Sequence, residues 1–84
     1  MWNSGASYES YIGRWSRLVA NQFVPWLHIT AGAQWLDIGC GTGNLSQTIL
    51  ERADPQSVLG IDSSEGYIEF ARMQINDSRV TFRL

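Results

Sequence analysis

Trp35-Leu36-Asp37-Ile38-Gly39-Cys40-Gly41-Thr42-Gly43-Asn44-Leu45-Ser46 is the stretch whose reading decides the fold. A short apolar run carries one acid and then breaks into glycines at alternate positions, Gly39, Gly41 and Gly43, before a helix-forming pattern begins. Glycine is favoured where a backbone turns sharply or approaches another group with no side chain in between. Gln34 to Ile38 therefore reads as a buried strand, and Thr42 to Ala53 as a helix with Leu45, Ile49, Leu50 and Ala53 along one face. A strand, a glycine turn and a helix N-terminus in this order leave free N–H groups facing outward at the strand's end.

The same alternation continues downstream. Asp54-Pro55 stops the helix, and Ser57 to Ile61 is a second buried strand ending at Asp62. Ser64 reads as the N-cap of a helix through about Ile75, with Ile68, Ala71 and Ile75 on a shared face. Asn76-Asp77-Ser78 is a turn, and a third strand starts at Val80. Upstream, Ile12, Trp15, Val19, Phe23, Trp26 and Leu27 recur at helical spacing, which predicts an amphipathic helix over about Ser7 to Leu27. That helix is broken near Gly13 and ended or kinked by Pro25, with Trp15 and Trp26 in the core. Thr30 to Ala33 is a connecting turn. A helix followed by β-α-β-α-β implies right-handed crossovers and an α/β fold with a parallel sheet. Three strands are few for a parallel sheet, so the chain reads as the N-terminal part of a larger domain. Residues 1–33 form a lead-in helix and turn, and residues 34–84 form the truncated cofactor-binding domain.

Composition narrows the function. The 84 residues hold six basic and eight acidic side chains, for a net charge of −2. All six basic residues are arginines and none form a run, which argues against nucleic acid as a partner. Cys40 is the only cysteine, and with His28 alone beside it makes no metal-binding set. A reduced, cytoplasmic setting fits this usage. No apolar run is long enough to span a membrane, and no secretory leader opens the chain.

The glycines follow G-x-G-x-G. A dinucleotide site expects G-x-G-x-x-G, and Asn44 stands where its last glycine would fall. Asp62 closes the second strand at its carboxyl end, where ligands of open α/β sheets bind. An ionised carboxylate there accepts hydrogen bonds from both hydroxyls of a ribose; the plainer alternative is that Asp62 only starts the next helix. Asp37, an acid in an apolar strand, needs partners, and the loop N–H groups are nearest. It holds the loop or meets the cationic end of a ligand, unless it is simply a solvated strand end.

Asp37-Ile38-Gly39-Cys40-Gly41-Thr42-Gly43, followed by Gly60-Ile61-Asp62, resembles the first two motifs of class I S-adenosylmethionine-dependent methyltransferases. The opening Tyr8-Glu9-Ser10-Tyr11-Ile12-Gly13-Arg14-Trp15-Ser16-Arg17 is similar to the lead-in helix of the small-molecule, ubiquinone/menaquinone methyltransferase-like branch. The resemblance implies a Rossmann-like, doubly wound parallel sheet of which this chain holds the first three strands. It implies S-adenosylmethionine as cofactor and a small-molecule methyl acceptor. Gly39, Cys40, Gly41 and Gly43 would supply backbone against the methionine part, and Asp62 would take the ribose hydroxyls. Ser63, with Tyr67, would lie near the adenine. Tyr11 and Arg14 would close over the pocket and pair with the cofactor carboxylate, against the plainer reading of a surface arginine and a half-buried tyrosine. Methyl transfer in that family is an in-line attack on a sulfonium methyl, helped chiefly by positioning. Two other readings stay open, a dinucleotide-dependent oxidoreductase and a non-catalytic cofactor-binding remnant.

Overall fold

A computed structural model of the chain describes residues 14–84. The elements are α1 (Arg14–Trp26), β1 (Gln34–Ile38), α2 (Asn44–Arg52), β2 (Ser57–Ile61), α3 (Glu65–Gln74) and β3 (Val80–Arg83). The three strands form one parallel sheet in the order β1-β2-β3. Both strands read from apolar runs between turn residues, β1 and β2, lie at their expected bounds.

Register explains which face is covered. Trp35, Val58 and Val80 form one row across the sheet, and Asp37, Gly60 and Phe82 another on the same face. This face meets all three helices in one core of Val24, Cys40, Ile49, Leu50, Val58, Ile68, Ala71, Ile75 and Phe82. Fully burying a side chain such as Ile49, Val58 or Ile68 contributes about 1.5–3 kcal/mol each. The alternate rows point the other way, and Leu36 and Ile38 there are 57% and 73% exposed. The cause is topological. Successive strands are laid down in one direction, and right-handed crossovers then put every helix on one side. The Rossmann-like winding is present, and the described residues wind one face of it.

The outer edge of β3 is closed by a side chain. Arg79 and Arg83 turn their carbonyls toward β2, where the N–H groups of Val58 and Asp62 donate to them. Strand alternation therefore puts the Phe82 carbonyl on the free edge. Arg72 of α3 donates to it from Nε at 3.2 Å and Nη2 at 2.7 Å, which blunts a strand edge that would otherwise pair with another chain.

Helix α3 forms as its sequence dictates. Ser64 caps it by accepting from the Tyr67 N–H at 3.3 Å, and Ile68, Ala71 and Ile75 are buried. Helix α1 stops where Pro25 was expected to end it but differs from expectation in the side it buries. It ends at Trp26, just past Pro25, and the predicted stretch over residues 7–13 lies outside the described residues. Trp15 and Trp26 are not core: each is 69% exposed, and Val19 and Phe23 also face outward. Among the described side chains of α1, the buried positions are Ala20 and Val24. The reason is that α1 packs on α2, where Arg52 Nε donates to Asn21 Oδ1 at 3.1 Å and Arg17 donates to Asn44 Oδ1 at 3.4 Å. Small residues suit that close contact, and the bulky stripe turns away from it. No described helix is long and apolar enough to cross a membrane.

The end of the sheet opposite the glycine loop is tied by Arg79. Asp77 accepts from its backbone N–H, Nε and Nη2 at 2.8–3.0 Å, while Nη2 also reaches the Leu50 carbonyl at the end of α2. These bonds hold the Asp77 carboxyl down to about 2, from an ordinary 3.8. A carboxyl whose folded value is lowered stabilises the fold above its unfolded value and loses that contribution as pH falls through the folded one. Melting curves between pH 2 and 7 should therefore show a fall in Tm from about pH 4 down to pH 2. Asp77→Asn should lower Tm at pH 7 and remove that part of the fall; an unchanged pH profile would contradict the role of this turn.

Candidate functional site

The loop Gly39–Gly43 leaves the carboxyl end of β1 and delivers the chain into α2. Its three glycines have φ of +72°, +57° and +92°, the left-handed region that side chains disfavour. Backbone groups of the loop are placed by specific partners. The N–H groups of Gly39 and Cys40 both donate to the Ile61 carbonyl, at 2.8 and 2.9 Å, and Gly43 donates to the Cys40 carbonyl at 3.0 Å. The N–H of Gly41 donates to Asp62 Oδ2 at 2.9 Å.

The three glycines do different work. A Cβ on Gly43 would lie 2.7 Å from Ile75 Cδ1 and 3.3 Å from both Ala71 Cβ and Phe82 Cζ. Gly43 is thus the point where α2, α3 and β3 meet, and it does one residue earlier the close packing that a dinucleotide motif assigns to its last glycine. Close helix packing is therefore present here without a glycine at position 44. At Gly39 and Gly41 an added Cβ would meet nothing within 4 Å. Their bare faces look into open space, as a backbone cradle requires.

Asp62 stands at the carboxyl end of β2, half-buried. Its Oδ2 accepts from Gly41, and its Oδ1 accepts from the Ser64 N–H at 2.8 Å. It therefore does start the next helix, as the plainer reading held, and it clasps the glycine loop as well. A carboxylate offers about four acceptor directions, so two N–H partners leave room for hydroxyl donors. Ile38, Gly39, Ile61, Asp62, Ser63 and Leu84 line an open cleft of about 430 Å³ at this end of the sheet. The fit to a ribose-bearing cofactor rests on these features: two glycines open to solvent, and a carboxylate fixed beside them.

Asp37 points away from the cleft, on the helix-covered face, and is 7% exposed. Of the loop N–H groups expected to satisfy it, those of Gly39, Cys40, Gly41 and Gly43 have other partners. Its Oδ2 accepts from the Ser46 hydroxyl at 2.7 Å. Burial raises its pKa above the usual carboxylate value, while hydrogen bonds from the Ser46 side chain and backbone oppose that rise and the Asp62 charge adds to it. Cys40 turns its thiol into the core. Burial, with the Asp37 and Asp62 carboxylates, pushes that thiol up to about 11, so it stays protonated and is no nucleophile at neutral pH.

Of the remaining expected residues, Ser63 is exposed on the cleft, and Tyr67 is half-buried in the first turn of α3. Arg14 opens α1, and Tyr11 lies outside the described residues. Sequence reasoning missed three participants. Thr42 and Ser46 are buried, and Asn44 accepts from Arg17 while donating to Thr42 Oγ1 at 3.4 Å, which links α1 to the loop. No spacing signals Ser46, because its acceptor, Asp37, comes from a different element nine residues earlier.

Residues 36–84 match the family model described as a methyltransferase domain. The chain is 33% identical over 78 residues to malonyl-[acyl-carrier protein] O-methyltransferase of Acetivibrio thermocellus, covering 90% of this chain and 27% of that protein. It is 34% identical over 64 residues to demethylmenaquinone methyltransferase of Symbiobacterium thermophilum, covering 75% of this chain and 25% of that one. Among solved structures it is similar to a SAM-dependent methyltransferase from Geobacter sulfurreducens in complex with S-adenosyl-L-homocysteine. There the TM-score is 0.65 and the identity 25%, over 76% of this chain and 27% of that one. The chain spans about a quarter of the length of these relatives.

The division of labour among the glycines has a measurable consequence. Gly43→Ala combines left-handed strain with overpacking, for about 2–4 kcal/mol lost from the unfolding free energy. Gly39→Ala carries the strain alone, about 1–2 kcal/mol. Denaturant titration of both variants checks the order; equal losses would contradict the packing role of Gly43.

Proposed function

We propose that this chain, which belongs to the methyltransferase domain family that its residues 36–84 match, is the cofactor-holding part of an S-adenosylmethionine-dependent methyltransferase acting on a small molecule. The observation that carries the reading is the Asp62 carboxylate, fixed at the end of β2 beside the open faces of Gly39 and Gly41. Asp62 would accept the ribose hydroxyls, and Gly39, Cys40, Gly41 and Gly43 would shape the backbone against the methionine portion. Ser63 would border the adenine, and Tyr11 and Arg14 would cover the carboxylate end. When bound, the cofactor supplies an electrophilic methyl group on a sulfonium. What this chain's residues contribute is position: the loop is held by Ile61 and Asp62, so binding orders little that is not already ordered. Methyltransferases for an acyl-carrier-protein-bound malonyl group and for demethylmenaquinone are among its relatives, which supports a small organic acceptor. The reading places residues 34–84 in the cofactor domain behind a lead-in over residues 1–33, in the cytoplasm, where the lone Cys40 remains a thiol.

Calorimetric titration of the full-length protein with S-adenosyl-L-homocysteine tests this. Wild-type protein should bind, and Asp62→Ala should weaken binding about 10- to 150-fold, the equivalent of about 1.5–3 kcal/mol for hydrogen bonds to a charged group. No binding at millimolar ligand, equal affinity in the variant, or tighter binding of NAD would overturn the assignment.

A further inference from the structure

We propose that the outward face of α1 docks the protein on the surface of an anionic membrane. Such docking is independent of the cofactor reading above.

The face is apolar and broad. Trp15, Leu18, Val19, Phe23 and Trp26 recur at three- and four-residue spacing, with Gln22 among them, and all are exposed. The opposite side of the helix packs on α2 through Ala20, Val24 and the Asn21–Arg52 bond. Trp26 stacks on Phe23 with ring centroids 6.0 Å apart, and Ile29, just past the helix, is exposed as well. Leu45 carries the face onto α2. With Trp15, Val19, Ala20 and Phe23 it lines an open, almost wholly apolar groove of about 420 Å³. Soluble proteins seldom leave a contiguous apolar patch of this extent bare, and one that persists marks a surface that meets a partner.

Charge and shape select the partner. Between Glu9 and Asp37 the sequence holds two arginines, Arg14 and Arg17, and no acid, although the chain as a whole carries a net charge of −2. Arg52, exposed on α2, bonds to Asn21 and brings a third positive charge beside the helix. Glu51 is the neighbouring acid, and it lines with Arg17 a separate cavity toward α3, away from the Leu45 groove. A helix with tryptophan at each end of an apolar face, arginines and no acid has the pattern of one lying in the plane of a lipid interface, where indole rings sit at headgroup level. At 13 residues α1 is too short to span a bilayer, so it would lie along the surface. A small apolar ligand filling the groove would leave Leu18, Trp26 and Ile29 bare. A second copy meeting face to face would bring like charges together, which disfavours that pairing. From Trp15 to Trp26 the face runs about 16 Å, and an anionic lipid surface covers all of it while pairing with the arginines.

Co-sedimentation of the full-length protein with lipid vesicles tests this. Partition should be about tenfold or more stronger to phosphatidylcholine vesicles containing phosphatidylglycerol than to phosphatidylcholine alone, the effect of two or three arginines near an anionic surface. Salt at about 0.5 M should remove most of that preference. Trp15→Ser combined with Trp26→Ser should weaken vesicle binding by about tenfold or more, with Tm and affinity for S-adenosyl-L-homocysteine in free solution unchanged. Protein that does not sediment with the anionic vesicles, or that binds both kinds equally, would overturn the proposal. So would a double variant that binds vesicles like wild type. A double variant with a lowered Tm would show the face covered by the protein's own chain, and a wild-type dimer dispersed by the substitutions would show it covered by a second copy; either result also overturns the proposal.

Discussion

The site depends on one carboxylate holding two backbone N–H groups from different elements. Asp62 takes Gly41 of the loop on one oxygen and Ser64, at the head of α3, on the other. Each bond to a charged acceptor is worth about 1.5–3 kcal/mol when its partner is lost. The loop's other anchor is the Ile61 carbonyl, which takes two further loop N–H groups. The end of β2 thus fixes a segment that three glycines would otherwise leave free. Geometry at this end of the sheet follows from β2, the central strand of the three.

The glycine motif then divides by face. Gly43 is closed in by α3 and β3, while Gly39 and Gly41 look outward into space. One motif therefore closes the helix packing at one glycine and leaves bare backbone at the other two. Gly43 carries no capping side chain, and the nearest acid, Asp37 of β1, instead accepts the hydroxyl of Ser46 in the first turn of α2. Asp37 and Ser46 are buried polar groups that satisfy one another, which is how a carboxylate is accommodated on the covered face of an apolar sheet.

Much of this was legible in the sequence for reasons that can be named. Strands β1 and β2 are bounded by residues that cannot continue them, and Ser64 followed by Ile68, Ala71 and Ile75 is a cap with a 3.6-residue face behind it. Asp62 was legible because a single acid closes an apolar run. What periodicity could not tell was which flank of α1 meets the protein. Trp15, Val19, Phe23 and Trp26 keep helical spacing as well as any core stripe, yet the contact with α2 falls on Ala20 and Val24. Nor could it show that the buried face of α2 carries Ser46 and Thr48 while Leu45 is 37% exposed. A buried hydroxyl is recognisable only once its acceptor is located, and Asp37 comes from another element.

The most direct test is a crystal structure of the full-length protein with S-adenosyl-L-homocysteine. Both ribose hydroxyls should lie within about 3.2 Å of the Asp62 carboxylate, the reach of a hydrogen bond. The homocysteine portion should lie against Gly39 and Gly41. A ligand whose ribose lies away from Asp62 would contradict the role given to that carboxylate.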